Sequence, residues 1–168
     1  MNHKHVRKVS STQEKRAARD IGGYTQAASG ACRHGGGGDA RACGKTRVEC
    51  KFTEKPYYNL ELKTLLKIET HARTALETPV LQLGFRNIFG QMDLYAVMRW
   101  QDFACCTGPT TARECFVLSG QYKLTHEEML QLLVHQAVLK LVYNYSPAPK
   151  SYVVIPWNDY LKLVQEAT

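Results

Sequence analysis

A chain of 168 residues, 44% of them apolar, has room for one compact domain with an appendage and enough apolar side chains for a core. No run approaches the roughly 20 apolar residues that cross a bilayer, and the basic N-terminus MNHKHVRKVSSTQEKRAARD has no apolar segment behind it, so neither a membrane span nor a signal peptide is expected. Residues 1–55 hold twelve Lys or Arg against five Asp or Glu, whereas residues 56–168 hold ten of each; the formal charge of +7 therefore sits in the first third, where a polyanion is the natural partner and a solvated basic tail the plainer alternative.

In chain order, residues 1–9 read as a flexible basic arm. Ser10, Ser11 or Thr12 then caps a helix through STQEKRAARD that Gly22-Gly23 stops. Residues 24–28 suit a short strand, and SGACRHGGGG (29–38) a glycine-rich loop. Asp39 to Ala42 starts a strand, Gly44-Lys45 turns, and TRVECKF (46–52) returns as its hairpin partner. Leu62, Leu65, Leu66, Ile68 and Ala72 share one face of a helix expected over 60–76. PVLQLGF (79–85) and LYAVMRW (94–100) read as strands. Thr125 and Glu128 form a capping box for a helix expected to reach Tyr143, and the strand SYVVIP and the helix WNDYLKLVQEA follow. The order indicates an α/β layer fold, with residues 10–106 as its core and 107–168 as a C-terminal extension of helix, strand and helix.

The extension carries traces of the core. YAVMRWQDF (95–103) matches YVVIPWNDY (152–160) position by position, and ECKFTEKPYYNL (49–60) is loosely similar to ECFVLSGQYKL (114–124). A degenerate half-repeat and chance similarity both account for this; under the first, Phe116 stands where Lys51 would be.

The stretch that carries chemistry is Asp39-Ala-Arg-Ala-Cys-Gly-Lys-Thr-Arg-Val-Glu49-Cys50-Lys51. Alternate side chains of a strand share a face, so Glu49 and Lys51 point one way and Cys50 the other. A bend at Gly44-Lys45 brings Asp39 back beside Glu49, and two carboxylates and an ammonium converge. Hard oxygen ligands of this kind suit Mg²⁺ or Mn²⁺. The ion polarises a scissile phosphate while the lysine orients water or neutralises developing charge. An ordinary charged hairpin edge carries the same triplet, so spacing alone leaves both readings open.

RVECKFTEK, preceded by a glycine-rich loop and a lone acidic residue, resembles the core of the PD-(D/E)XK nucleases. It is most similar to archaeal-type Holliday-junction resolvases and related phage-encoded endonucleases. The resemblance spans about residues 12 to 105. It implies a restriction-endonuclease-like core of helix, mixed β-sheet and helix, and an Mg²⁺-dependent endodeoxyribonuclease acting on branched or structured DNA in recombination. It also implies a homodimer in the cytoplasm of a bacterial or phage-infected cell. On the same resemblance Asp39 and Glu49 ligate the metal with the Cys50 backbone carbonyl, and Lys51 positions the attacking water. Glu14 completes the centre, Ser29 touches the scissile phosphate, and Arg41, Arg47 and Lys55 are candidates for phosphate contacts or for solvated surface positions. Gly38 stands where many members have proline, and residues 107–168 have no assigned counterpart. A catalytically silent nuclease fold serving as a nucleic-acid-binding or assembly component is the alternative.

Two other signals fail on spacing. Gly38-DARAC-Gly44-Lys45-Thr46 has five residues between its glycines where a P-loop needs four, and a strand rather than a helix follows. Cys32, His34, Cys43 and Cys50 contain no C-x-x-C pair, and Cys50 faces away, which disfavours zinc. The six cysteines, including the adjacent Cys105-Cys106, read as reduced thiols of an intracellular protein. Tyr57, Tyr58, Trp100 and Trp157 read as packing residues, with base stacking open to the two tyrosines.

Overall fold

The computed structural model describes residues 3–25, 39–42, 44–107, 110–135 and 137–166, with side chains from Ser11 onward. Helix α1 (His3–Asp20) leads into strands β1 (Tyr24–Thr25), β2 (Ala40–Ala42), β3 (Thr46–Thr53) and β4 (Tyr57–Glu61). Helix α2 (Leu62–Arg73), strands β5 (Thr78–Arg86) and β6 (Met92–Arg99) and helix α3 (Trp100–Cys106) follow. The chain continues through β7 (Ala112–Val117), β8 (Gln121–Thr125), α4 (His126–Val134), β9 (Val138–Tyr143), β10 (Lys150–Pro156) and α5 (Trp157–Glu166). The fold is mixed α/β, with five helices among the described residues around one large mixed sheet.

That sheet has eight strands in the order β1-β2-β3-β5-β6-β10-β9-β7, and β4 pairs with β8 in a separate ribbon. Two neighbours are parallel, β3 with β5 and β7 with β9, each joined by a helical crossover. Alternation along each strand divides the core. On one face Val48, Cys50, Val153 and Ile155 meet Ala17 and Ala18 of α1, Phe103 of α3, and Trp157 and Tyr160 of α5. On the other, Leu81, Leu83, Leu139 and Leu141 meet α2, α4 and the β4–β8 ribbon through Leu65, Ile68, Leu124, Met129 and Leu132. The indole of Trp157 is buried and donates to Asp20 Oδ2 at 3.0 Å, fastening α5 to the end of α1. Glu69, buried in α2, is answered by the Tyr152 hydroxyl at 2.5 Å and by Lys150 Nζ at 3.6 Å.

Several elements depart from the sequence expectation. The first helix starts at His3 rather than after an arm of nine residues, because HKHVRKV holds neither Gly nor Pro to keep it from continuing. The helix expected to reach Tyr143 ends at Val134, and VLKLVY is strand β9, with Leu139, Leu141 and Tyr143 fully buried on alternate positions. The Thr125 hydroxyl does accept from the Glu128 amide at 3.1 Å, but the Glu128 carboxylate accepts from the Tyr122 hydroxyl instead of closing the capping box. Strands β4, β7 and β8 and helix α3 were not expected, so the extension is strand, strand, helix, strand, strand, helix. It is continuous with the core, since β10 pairs with β6 and β8 with β4. Of the strand expected at 24–28, Tyr24 and Thr25 are described; Ser29, Cys32, His34, Cys43 and the rest of the glycine-rich loop lie outside the described residues.

Candidate active site

Gly44, at φ 69°, and the bond from Lys45 N to Ala42 O (3.0 Å) turn β2 into β3. The antiparallel register pairs Ala40 with Val48, Arg41 with Arg47 and Ala42 with Thr46. The turn after α1 closes on this hairpin at Gly23, where a Cβ would stand 2.1 Å from the Arg41 carbonyl oxygen, closer than any side chain permits.

Asp39, the residue before β2, donates its amide to the Val48 carbonyl at 2.9 Å. Its Oδ2 accepts from the Cys50 amide at 2.7 Å, so the carboxylate lies against the edge of β3 where β2 has ended. A strand residue projects its N–H and C=O toward the same neighbour, so the Cys50 carbonyl faces that edge too. The Cys50 thiol points the other way into the core, 3.6 Å from Gln82 Oε1, and burial pushes it far above the usual thiol range. Glu49 and Lys51 share the outward face, and Lys51 Nζ donates to Glu49 Oε1 at 2.7 Å. From α1, Glu14 lies within electrostatic reach of Asp39, while its neighbour Gln13, buried, donates Nε2 to the Lys51 carbonyl at 3.1 Å.

Burial raises the Asp39 carboxyl from 3.8 to about 6; the charges of Glu49 and Glu14 add to this, and the Cys50 amide and Lys51 oppose it. Burial would lower Lys51, but its hydrogen bond to Glu49 and the charges of Glu49 and Asp39 win and raise it. The centre thus holds more carboxylate than one ammonium neutralises, and the ammonium stays charged. Tyr58, half-buried on β4, lies in the field of Lys51 and Glu49.

The remaining expected residues divide. Arg47 is 3% exposed and donates Nε to Glu77 Oε2 at 2.9 Å, and Arg41 donates to the other oxygen of the same buried carboxylate. Arg47 is therefore a structural ion-pair partner of Glu77 instead of a group presented to phosphate. Lys55 is exposed on the β3–β4 turn, 5.6 Å from the ring of Tyr57, which also lies under Lys123 at 4.5 Å. Sequence reasoning passed over Gln13 and Glu77. Neither had a local signal, because each acquires its role by being buried against a strand distant in the chain.

Among the described residues no group of three or more His, Cys, Asp or Glu side chains is arranged to hold a metal ion. The oxygen groups near the hairpin are the carboxylates of Asp39 and Glu49 and the Cys50 backbone carbonyl. A cavity of about 380 Å³ lies under α5, lined by Thr46, Met98, Asp102 and Tyr160, and it does not include these groups. No helix among the described residues is long and apolar enough to cross a membrane. Compared with known proteins, the chain matches no family model, no curated protein and no solved structure.

Proposed function

We propose that this chain is an Mg²⁺-dependent endonuclease of the PD-(D/E)XK type that hydrolyses phosphodiesters of DNA, with branched or structured DNA as its favoured substrate. The observation that carries this is the junction at the β3 edge: Asp39 bonded to the Cys50 amide, with Glu49 and Lys51 paired on the adjoining residues. The element order supports it, since a helix with Glu14 precedes the Asp39 hairpin and a helix joins β3 to the parallel β5.

The donor chemistry fits a hard divalent cation. Mg²⁺ takes one or two carboxylates and keeps several waters, and surplus negative charge at Asp39 is what such an ion relieves. Asp39, Glu49 and the Cys50 carbonyl would hold it, and when bound it supplies Lewis-acid polarisation and an activated water. Lys51, its pKa raised and its Nζ fixed by Glu49, acts as a permanent cation that steadies charge on the phosphate; it is not a proton acceptor. Gln13 holds the Lys51 backbone from behind. Lys55 supplies a phosphate contact beside the centre.

The test is incision of a synthetic four-way junction and of linear duplex with Mg²⁺, by wild type, Asp39→Asn and Lys51→Ala. Cutting by wild type and loss in both variants is expected. Equal binding by all three with no cutting of any DNA form would instead identify a silent nucleic-acid-binding component.

A further inference from the structure

The strands pair about an internal two-fold axis. In β6–β10 Val97 faces Val154, with Tyr95 on Pro156 and Arg99 on Tyr152. In β4–β8 Asn59 faces Lys123, with Tyr57 on Thr125 and Glu61 on Gln121. The order β3-β5-β6-β10-β9-β7 reads the same from either end, parallel in its outer pairs and antiparallel within, and the match of YAVMRWQDF to YVVIPWNDY equates Val97 with Val154, so the two halves meet across β6–β10 as in an isologous contact. Side chains obey the same correspondence. Phe85 and Tyr95 meet edge to face at 5.9 Å and 75°, and Tyr143 and Tyr152 at 5.9 Å and 82°. Trp100 packs on Phe103 at 5.6 Å as Trp157 packs on Tyr160 at 5.0 Å.

The correspondence fixes what stands at the second copy of the site. Leu81 pairs with Val97 and Leu139 with Val154, so Leu139 answers to Leu81. Leu81 is the parallel partner of Glu49 and Leu139 that of Arg113. Arg113 therefore takes the place of Glu49, and Cys115, rather than Phe116, that of Lys51. Tyr122, the counterpart of Tyr58, agrees: its hydroxyl lies 3.8 Å from Cys115 Sγ as Tyr58 lies beside Lys51. Matching the Glu-Cys pairs by sequence is one residue out of register, which on a strand turns every side chain to the wrong face. Among the described residues the second copy has no counterparts of α1, β1 and β2, the elements that deliver Glu14 and Asp39, and β7 is the last strand of the sheet. The Arg113 side chain is 61% exposed and lies 3.8 Å from Glu128.

We infer that the chain is a pseudo-dimer within one polypeptide that grips DNA with both halves and cuts with one, Arg113 holding a backbone phosphate at the position symmetric to Glu49. This rests on the nuclease assignment and replaces the expected second subunit with residues 112–166. Each encounter ends with one strand cut, and no partner copy is needed.

Light scattering of the full chain, alone and on a duplex oligonucleotide, joined to cleavage of supercoiled plasmid with Mg²⁺, tests the pseudo-dimer. A monomer in both states and accumulation of nicked circles before linear DNA are expected. In metal-free buffer Arg113→Glu binds the labelled duplex several-fold more weakly, with a salt slope reduced by about one, and Arg113→Lys restores both. A dimer on DNA, linear product without a nicked precursor, or wild-type affinity and slope in Arg113→Glu would overturn the inference. Absence of any cutting with the Arg113 effect intact would sink the nuclease assignment while leaving the two-sided grip.

Discussion

Glu77 is the residue whose replacement most severely tests how the site is held. Its side chain has no solvent exposure, and its two oxygens neutralise Arg47, itself 3% exposed, and Arg41. Arg41 and Arg47 are direct cross-strand partners in β2–β3, an arrangement that repels unless an anion lies between them. Glu77→Gln keeps one acceptor oxygen but leaves a buried guanidinium without countercharge. Breaking a buried pair from one side costs about 3–5 kcal/mol, and the retained acceptor places this variant near the low end, about 3 kcal/mol. In a chain of this length that lowers Tm by roughly 6–12 °C. Urea and thermal unfolding measure it. The double variant Glu77→Leu with Arg47→Met should recover most of the loss, because replacing both charges by apolar groups is often neutral. Since β2 carries Asp39 to the β3 edge, Glu77→Gln should also weaken divalent-cation binding. A loss below about 1 kcal/mol, or a double variant no better than the single one, would refute the claim that this carboxylate holds the hairpin together.

Other outcomes follow from the same contacts. In EDTA, folded Asp39 ionises near pH 6 against 3.8 for an unperturbed carboxyl; the folded state binds the proton more tightly, so stability falls as pH rises from about 4 to about 6 and is then level. Asp39→Asn should therefore match wild type near pH 4 and exceed it above pH 7 in urea titrations, by about 1–2 kcal/mol once solvent screening of a partly exposed carboxyl is allowed for. Lys51→Met should abolish cutting while changing stability by less than about 1 kcal/mol, because its ion pair is partly exposed. Trp157→Ala should cost about 3–5 kcal/mol for the lost burial, and hydrogen exchange should show the end of α1 loosened, because the bond to Asp20 goes with the ring.

What the sequence revealed and what it concealed divide along one physical line. The hairpin was legible because its signals are local: Gly44 supplies the left-handed turn, and alternation along TRVECKF assigns Glu49 and Lys51 to one face and Cys50 to the other. Asp39 followed from the length of the hairpin. Strands β4 and β8 were not legible, because YYNLE and QYKLT run straight into their helices without a breaker and pair only with each other across the pseudo-two-fold. The stop of α4 at Val134 has no Gly or Pro behind it, so a leucine-rich helix ran on into what is the strand VLKLVY. Arg47 looked like a surface cation because nothing near it in sequence announces Glu77. The half-repeat was glimpsed in the aromatic residues of β6 and β10, but its register at the lost site needed the strand pairing.

The central claim is that Asp39 and Glu49 hold a divalent ion at the β3 edge. Calorimetric titration of Mn²⁺ into the chain, near pH 5.5 and above pH 7 and in buffers of different ionisation enthalpy, tests it most directly. One ion bound per chain is predicted, with proton release at the lower pH and loss of binding in both Asp39→Asn and Glu49→Gln. Mn²⁺ binding that survives both substitutions, or none in the wild type, would contradict it.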